Sequence, residues 1–322
     1  MNTESNAVPE SGPGSPTPTT ESTVRDRRYS AAPGDTTEKT RPIYWSVRRE
    51  LWENRSIYTA PLIVALVVLF GFLISTIGLP ERRRAVLLLD QAHQRAAIQT
   101  PYDVVAIMLI LTAFIVGVFY CLDALHGERR DRSILFWKSL PVSNLTTLLS
   151  KASIPLVVLP LLTFAIIVTA QFIMLLMSSA VLLTSGLAST TWTHVNLFQQ
   201  SLILFYGLIA LALWHAPIYG WALLISGWSR RATFLWAVLP LLAIGIFEKI
   251  TFNTSHFASM LKHRLIGFAA EAFSFNVRGG VDSLIQLTPG RFLSTPGLWI
   301  GLAFAAAFVA AAVRQRRYQG PI

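Results

Sequence analysis

The sequence predicts an all-α, polytopic membrane protein: six transmembrane helices preceded by an amphipathic interface helix. Three observations predict it. The 322 residues are 53% hydrophobic and only 14% charged, whereas a soluble domain carries about 25% charged residues, and mean hydropathy is +0.51. The missing charge is concentrated in six apolar runs, most unbroken by a polar face; each is long enough to cross roughly 30 Å of hydrocarbon at about 1.5 Å per residue. The formal charge of +10, from 27 Lys and Arg against 17 Asp and Glu, gathers beside those runs. A basic balance in a soluble chain would suggest nucleic acid as a partner. Beside apolar runs it follows the positive-inside bias instead, so membrane lipid is the expected partner and nucleic acid is not.

Residues 1–40 are rich in Ser, Thr, Pro and Gly and lack apolar periodicity. They read as a disordered cytoplasmic tail with no signal peptide. Residues 43–58 read as a helix lying along the membrane. On a helical wheel Ile43, Val47, Leu51 and Tyr58 share one side with Tyr44, and Ser46, Arg49, Glu50, Glu53 and Ser56 share the other. Trp45, Arg48, Trp52 and Arg55 flank the boundary, where long amphipathic side chains reach the headgroups. A solvated helix leading into the first span is the alternative.

The spans are expected at 59–79, 103–122, 152–177, 201–226, 232–247 and 298–313, the last two only just long enough. Pro80 ends the first. Pro155, Pro160, Pro217 and Pro240 lie within spans and predict kinks, with gating hinges as a second reading. The uncharged stretch 179–200 either extends the third span or lies at the surface. Lys and Arg are densest in 41–58, 123–151 and the C-terminal tail, which places both termini in the cytoplasm. Arg82, Arg83 and Arg84 run against that assignment.

Little in the chain suggests chemistry of its own. The single cysteine, Cys121, lies inside an apolar run; it rules out an internal disulfide and reads as a small buried hydrophobe. The six histidines lack metal-ligand spacing, so no metal and no cofactor is expected. There is no phosphate-binding loop, no GxSxG and no acidic pair on one helical face, so neither nucleotide hydrolysis nor an embedded active site is expected. Asp103, Asp123, Lys151 and Glu248 sit at predicted span edges, where snorkelling is the default. With almost no charge inside the spans, no ion relay is evident, and active transport would draw its energy from outside.

The segment 123–150 carries the sharpest signal. Glu128 and Arg132 are four apart, which supports a helical turn. Ile134, Leu135, Phe136 and Trp137 then present an apolar group beside Arg129, Arg130 and Lys138; aromatic anchors among cations suit a partner-binding surface. An ordinary loop with a membrane-resting helix is the competing reading. Leu140-Pro141-Val142 breaks the helix, and Ser143 is a credible N-cap for the next one. Farther on, 249–296 is basic and Phe-rich. Phe257, Leu261, Leu265 and Phe268 recur at helical spacing, so one helix there either rests on the membrane or re-enters it. Gly301 and Ala305 in the last span permit close helix packing, at a dimer seam or within the chain.

Glu128, Ser133-Ile134, Leu140-Pro141-Val142-Ser143 and Ser150-Lys151 together resemble the loop between spans two and three of type-2, exporter-type ABC transporter permeases. The stretch from Trp45 to Arg55 looks like that family's N-terminal interface helix, and the six-span layout is similar over about residues 43–315. One departure is Arg132, where many members have a glycine before the serine. The resemblance implies a permease domain over 41–318 that pairs with a second copy or a related chain. It also implies a separate ATPase subunit docked on the cytoplasmic face. Its docking surface would include Glu128, Arg129, Arg130, Arg132, Phe136, Trp137 and Lys138, beside an interface helix carrying Trp45, Arg48, Arg49, Glu50 and Trp52. The resemblance further suggests an outer lid for 249–296. Two other readings stand beside the permease: a non-transporting scaffold or sensor using the same loop, and a membrane-embedded enzyme.

Overall fold

The computed structural model describes residues 42–133, 143–275, 281 and 283–318. The chain is an all-α polytopic membrane protein. Among the described residues the only strand-like feature is an isolated bridge between Phe273 and Leu287. Six helical segments are long and apolar enough to cross a membrane.

Helix α1 (Pro42–Glu53) leads into α2 (Ser56–Ser75), the first span. A 3₁₀ turn, Thr76–Gly78, then α3 (Leu79–Leu87) follow without a break. Pro80 therefore does not end the structure; it occupies the first turn of α3, where its missing N–H costs nothing. Helix α4 (Gln91–Ala124) is the second span and is followed by the short α5 (His126–Arg130). The third span is composite. Helix α6 (Asn144–Ser153) passes through a π turn, Ile154–Val158, into α7 (Leu159–Leu183). The two prolines expected to kink it fall in the π turn and in the first turn of α7, where the hydrogen-bond register shifts around their missing donors. Pro217 and Pro240 sit inside uninterrupted helices.

Part of 179–200 extends the third span as far as Leu183, and α8 (Ala188–His194) follows. Helices α9 (Leu197–Trp228) and α10 (Thr233–Phe252) are the fourth and fifth spans, and α14 (Pro296–Tyr318) is the sixth. Between the last two lie α11 (His256–Ile266), α12 (Phe268–Ala272) and α13 (Pro289–Ser294). Glu248, placed at a span edge by its sequence position, caps this segment. Its carboxylate accepts the backbone N–H groups of His256 and Phe257 at 2.7 and 2.8 Å, satisfying donors that a helix start leaves open.

Helix α11 buries none of its own side chains fully and is tied to the bundle at its C-terminal end. Trp214 and His215, midway along α9, donate to the carbonyls of His263 and Leu265 at its C-terminal end. The Arg264 guanidinium stacks over the Trp214 ring at 4.7 Å and donates to Gly297 O at 3.1 Å. Gly301 makes this possible, because a Cβ there would collide with the same guanidinium. Helices α9 and α14 pack closely: a Cβ on Gly220 would lie 3.2 Å from Ala305 O. Gly301 and Ala305 thus serve contacts within the chain. The core between spans is apolar, around Tyr120, Cys121, Leu159, Tyr219 and Leu223 at one end and Tyr102, Leu109, Ile167 and Met174 toward the other. The outward faces of α2 and α10 carry exposed Leu66, Phe70, Leu239 and Phe247, as expected for helices solvated by hydrocarbon.

Candidate functional site

Five charged side chains meet at one end of the bundle. Lys151, on α6, is 2% exposed. Its Nζ lies 2.8 Å from Glu50 Oε1 on α1 and 3.2 Å from Glu128 Oε1 on α5. Arg49 reaches the same two carboxylates at 3.5 Å each. Arg316, from the last turns of α14, approaches Glu128 Oε2 at 3.0 Å. That contact is an ion pair by distance, without the angle of a hydrogen bond. Tyr120, on α4, donates its hydroxyl to Glu50 Oε2 at 2.9 Å. Two acids and three cations, contributed by α1, α5, α6 and α14, thus form one buried junction.

Local sequence explains how each group arrives. On α1, Val47, Glu50, Leu51 and Asn54 fall at helical spacing. Val47 and Leu51 pack on the core, so Glu50 on the same face is carried inward with them. Asn54 Nδ2 donates to Glu50 O at 3.1 Å, tying the end of the helix. Ser143 caps α6 as its sequence predicts, accepting Thr146 N–H at 3.0 Å, and the helix it starts brings Lys151 to the junction.

A second joint binds the same end to α9. Helix α4 breaks at Leu125, and Ser226 Oγ of α9 accepts the freed N–H groups of Leu125 and His126 at 3.0 and 2.9 Å. Arg129 reciprocates. Its Nη1 donates to Gly227 O at 2.6 Å and Ser229 O at 3.3 Å, so a cation covers the carbonyl end of α9.

Several sequence expectations change here. Glu50, assigned to the outward polar side of α1, is buried. Trp45 and Trp52 are the exposed residues, with the Arg48 guanidinium 5.4 and 5.3 Å from their ring centres. Glu128 and Arg129, assigned to a docking surface, are turned into the chain's own interior; Arg130 and Arg132 of that set are exposed. Glu128 makes its ion pairs with Lys151, Arg49 and Arg316, and the turn meant to join it to Arg132 ends first, because Arg132 adopts the left-handed conformation at φ 57°. Phe136, Trp137 and Lys138 lie outside the described residues. Lys151 does not snorkel; it is the centre of the junction. Arg316, Tyr120 and Ser226 escaped the sequence reading, since nothing in linear spacing links positions so far apart.

At the opposite end of the bundle is a cavity of about 520 Å³. Arg95, Gln99 and Asp103 of α4 line it, with Gln171 of α7, Gln200 of α9 and Asn196, which caps α9. Gln171 donates to Tyr102 O at 3.2 Å, while its Oε1 is buried with no hydrogen-bond partner. Neither the junction nor this cavity gathers three His, Cys, Asp or Glu side chains in a metal-holding group among the described residues. No family model matches the chain, and no curated protein and no solved structure matches it either.

Proposed function

We propose that this chain is the transmembrane permease subunit of an ATP-driven ABC transporter, of the exporter type, in the cytoplasmic membrane. In this reading both termini face the cytoplasm, the permease pairs with a second copy or a related chain, and a separate subunit hydrolyses ATP. The observation that carries the reading is the buried junction. A permease without its own motor needs a stiff connection between the surface a motor presses and the helices that move. Here the segment entering 131–143 through Glu128 and leaving it through Lys151 is tied to α1 and α14 by ion pairs and to α9 by Arg129 and Ser226. A displacement of that loop would reach four spans at once. Discrete two-state repacking of such helices is how small shifts become gating motions.

The exposed Arg130 and Arg132 fit the docking role, together with Phe136, Trp137 and Lys138, and Trp45, Arg48 and Trp52 supply an aromatic edge beside it. In this reading the polar cavity at the far end belongs to the solute pathway. The test is purification of the complex with the neighbouring ATPase after changing Phe136 and Trp137 to Ala. Loss of the ATPase and of ATP-dependent solute movement in vesicles is expected. An intact complex with unchanged transport would sink the assignment, and a partner that binds wild-type chain without any ATP-driven movement would favour the scaffold.

A further inference from the structure

Arg82, Arg83 and Arg84 occur at the end of the bundle opposite the junction, and the middle one is buried. Arg83 is 6% exposed, held where α3 packs against α4 and α7. Its Nη1 has no hydrogen-bond partner, and among the described residues it takes part in no ion pair or hydrogen bond. The other buried cations differ. Lys151 and Arg316 face carboxylates, and Arg129 donates to backbone carbonyls. A buried guanidinium left uncompensated is among the costlier things a fold can contain.

The space beside Arg83 points to what compensates it. A cavity of about 180 Å³ lies between α2, α3, α4 and α7, lined by Arg82 and Arg83 on one side. The paired hydroxyls of Tyr102 and Ser178, 3.4 Å apart, also face it, and Phe72 and Val86 form part of an apolar wall. Two arginines and two hydroxyl-bearing residues in one lining suit a tetrahedral oxyanion, since arginine recognises phosphate through paired N–H donors. The apolar wall, beside exposed Leu73, Ile74 and Ile77, suits a phosphate that arrives on an acyl-bearing molecule. We propose that this cavity binds the phosphate of an anionic phospholipid, with Arg83 as the buried counter-charge and Arg82 as the second. The site is independent of the transport reading.

The experiment uses the full chain, stripped of lipid in detergent. It is titrated with phosphatidylglycerol, with phosphatidylcholine of the same acyl chains, and with inorganic phosphate. Bound lipid is counted by native mass spectrometry and the unfolding midpoint is followed in parallel. Wild type should retain phosphatidylglycerol over phosphatidylcholine and unfold at higher temperature with it. Arg83→Met should bind phosphatidylglycerol at least about tenfold more weakly, while unfolding no lower than wild type without lipid, because it removes an uncompensated charge. Arg82→Met should weaken binding less. Absence of any phosphatidylglycerol preference in wild type overturns the proposal whether or not the variants fold, and so does equal retention by Arg83→Met. An Arg83-dependent response to inorganic phosphate that matches the lipid response overturns the lipid source and leaves a soluble phosphate as the occupant.

Discussion

Arg132 shows how much a single backbone angle decides. At φ 57° it occupies the left-handed region, which costs a side-chain-bearing residue roughly 1–2 kcal/mol and a glycine little. Arg132→Gly is expected to stabilise the protein by about 0.5–1 kcal/mol after the extra freedom of glycine in the unfolded chain is subtracted, read as a higher unfolding midpoint in detergent. Ion pairs separate just as sharply by burial. Glu53 meets Arg49 at 2.9 Å with 52% of its side chain exposed, so Glu53→Ala should change stability by no more than about 0.5 kcal/mol. Lys151 is enclosed between two carboxylates, and Lys151→Met removes the nearer of the two cations they share, Arg49 standing off at 3.5 Å. The expected loss is roughly 3–5 kcal/mol, partly recovered when Glu50→Gln is added, because the two changes share one network. Equal midpoints for Lys151→Met and Glu53→Ala would refute the junction.

At the scale of helices, small residues are informative only where another backbone approaches. Gly220 faces Ala305 O at 3.2 Å and Ala305 Cα at 3.3 Å from the position of an added Cβ, and a backbone cannot rotate out of the way. Gly220→Leu should separate α9 from α14 and cost about 1–3 kcal/mol. Gly71, on the exposed side of α2, has nothing within 4 Å. Gly71→Ala should be neutral or slightly stabilising, since alanine is the better helix former by roughly 1 kcal/mol. Thermal unfolding of the two variants side by side checks both. The same scale shows why α1 was misread. Its wheel has a usable apolar side, and the side chains that settle its rotation, Lys151 and Tyr120, lie about 100 and 70 positions away. Helix α11, by contrast, was legible as a helix from its Phe and Leu spacing. Its tie to α9 was not legible, because the carbonyls of His263 and Leu265 are held by Trp214 and His215 of another span.

For the molecule as a whole, the junction fixes which segments share a side. Helix α1, the turn at Glu128, the start of α6 and the end of α14 meet at one end, so reporters placed near residue 132 and after residue 318 should report the same face of the membrane. A reporter at Gly186, on the loop beyond α7, should report the other. Opposite faces for 132 and 318 would break the six-span order as well as the junction. This topology also sets the terms for coupling. Under the proposed permease role, Lys151→Arg, which keeps the charge, should retain partner binding through 131–143 yet lower transport per ATP hydrolysed, because a planar guanidinium does not reproduce the compact ammonium held 2.8 and 3.2 Å from the two carboxylates. Reconstituted vesicles with matched ATPase content would measure that ratio.

Composition and the spacing of apolar residues were enough to determine six helices long and apolar enough to span a membrane and their order along the chain. Each of those follows from local transfer energies that a helix cannot evade in hydrocarbon. Tertiary structure alone decided which charges leave water. Glu50, Glu128, Lys151 and Arg316 look like ordinary span-edge residues one at a time. They become a junction only when helices distant in sequence bring opposite charges within about 3 Å, and Arg83 becomes a candidate site only because no such partner meets it. Pairing of buried charge is a long-range property, and no local pattern encodes it.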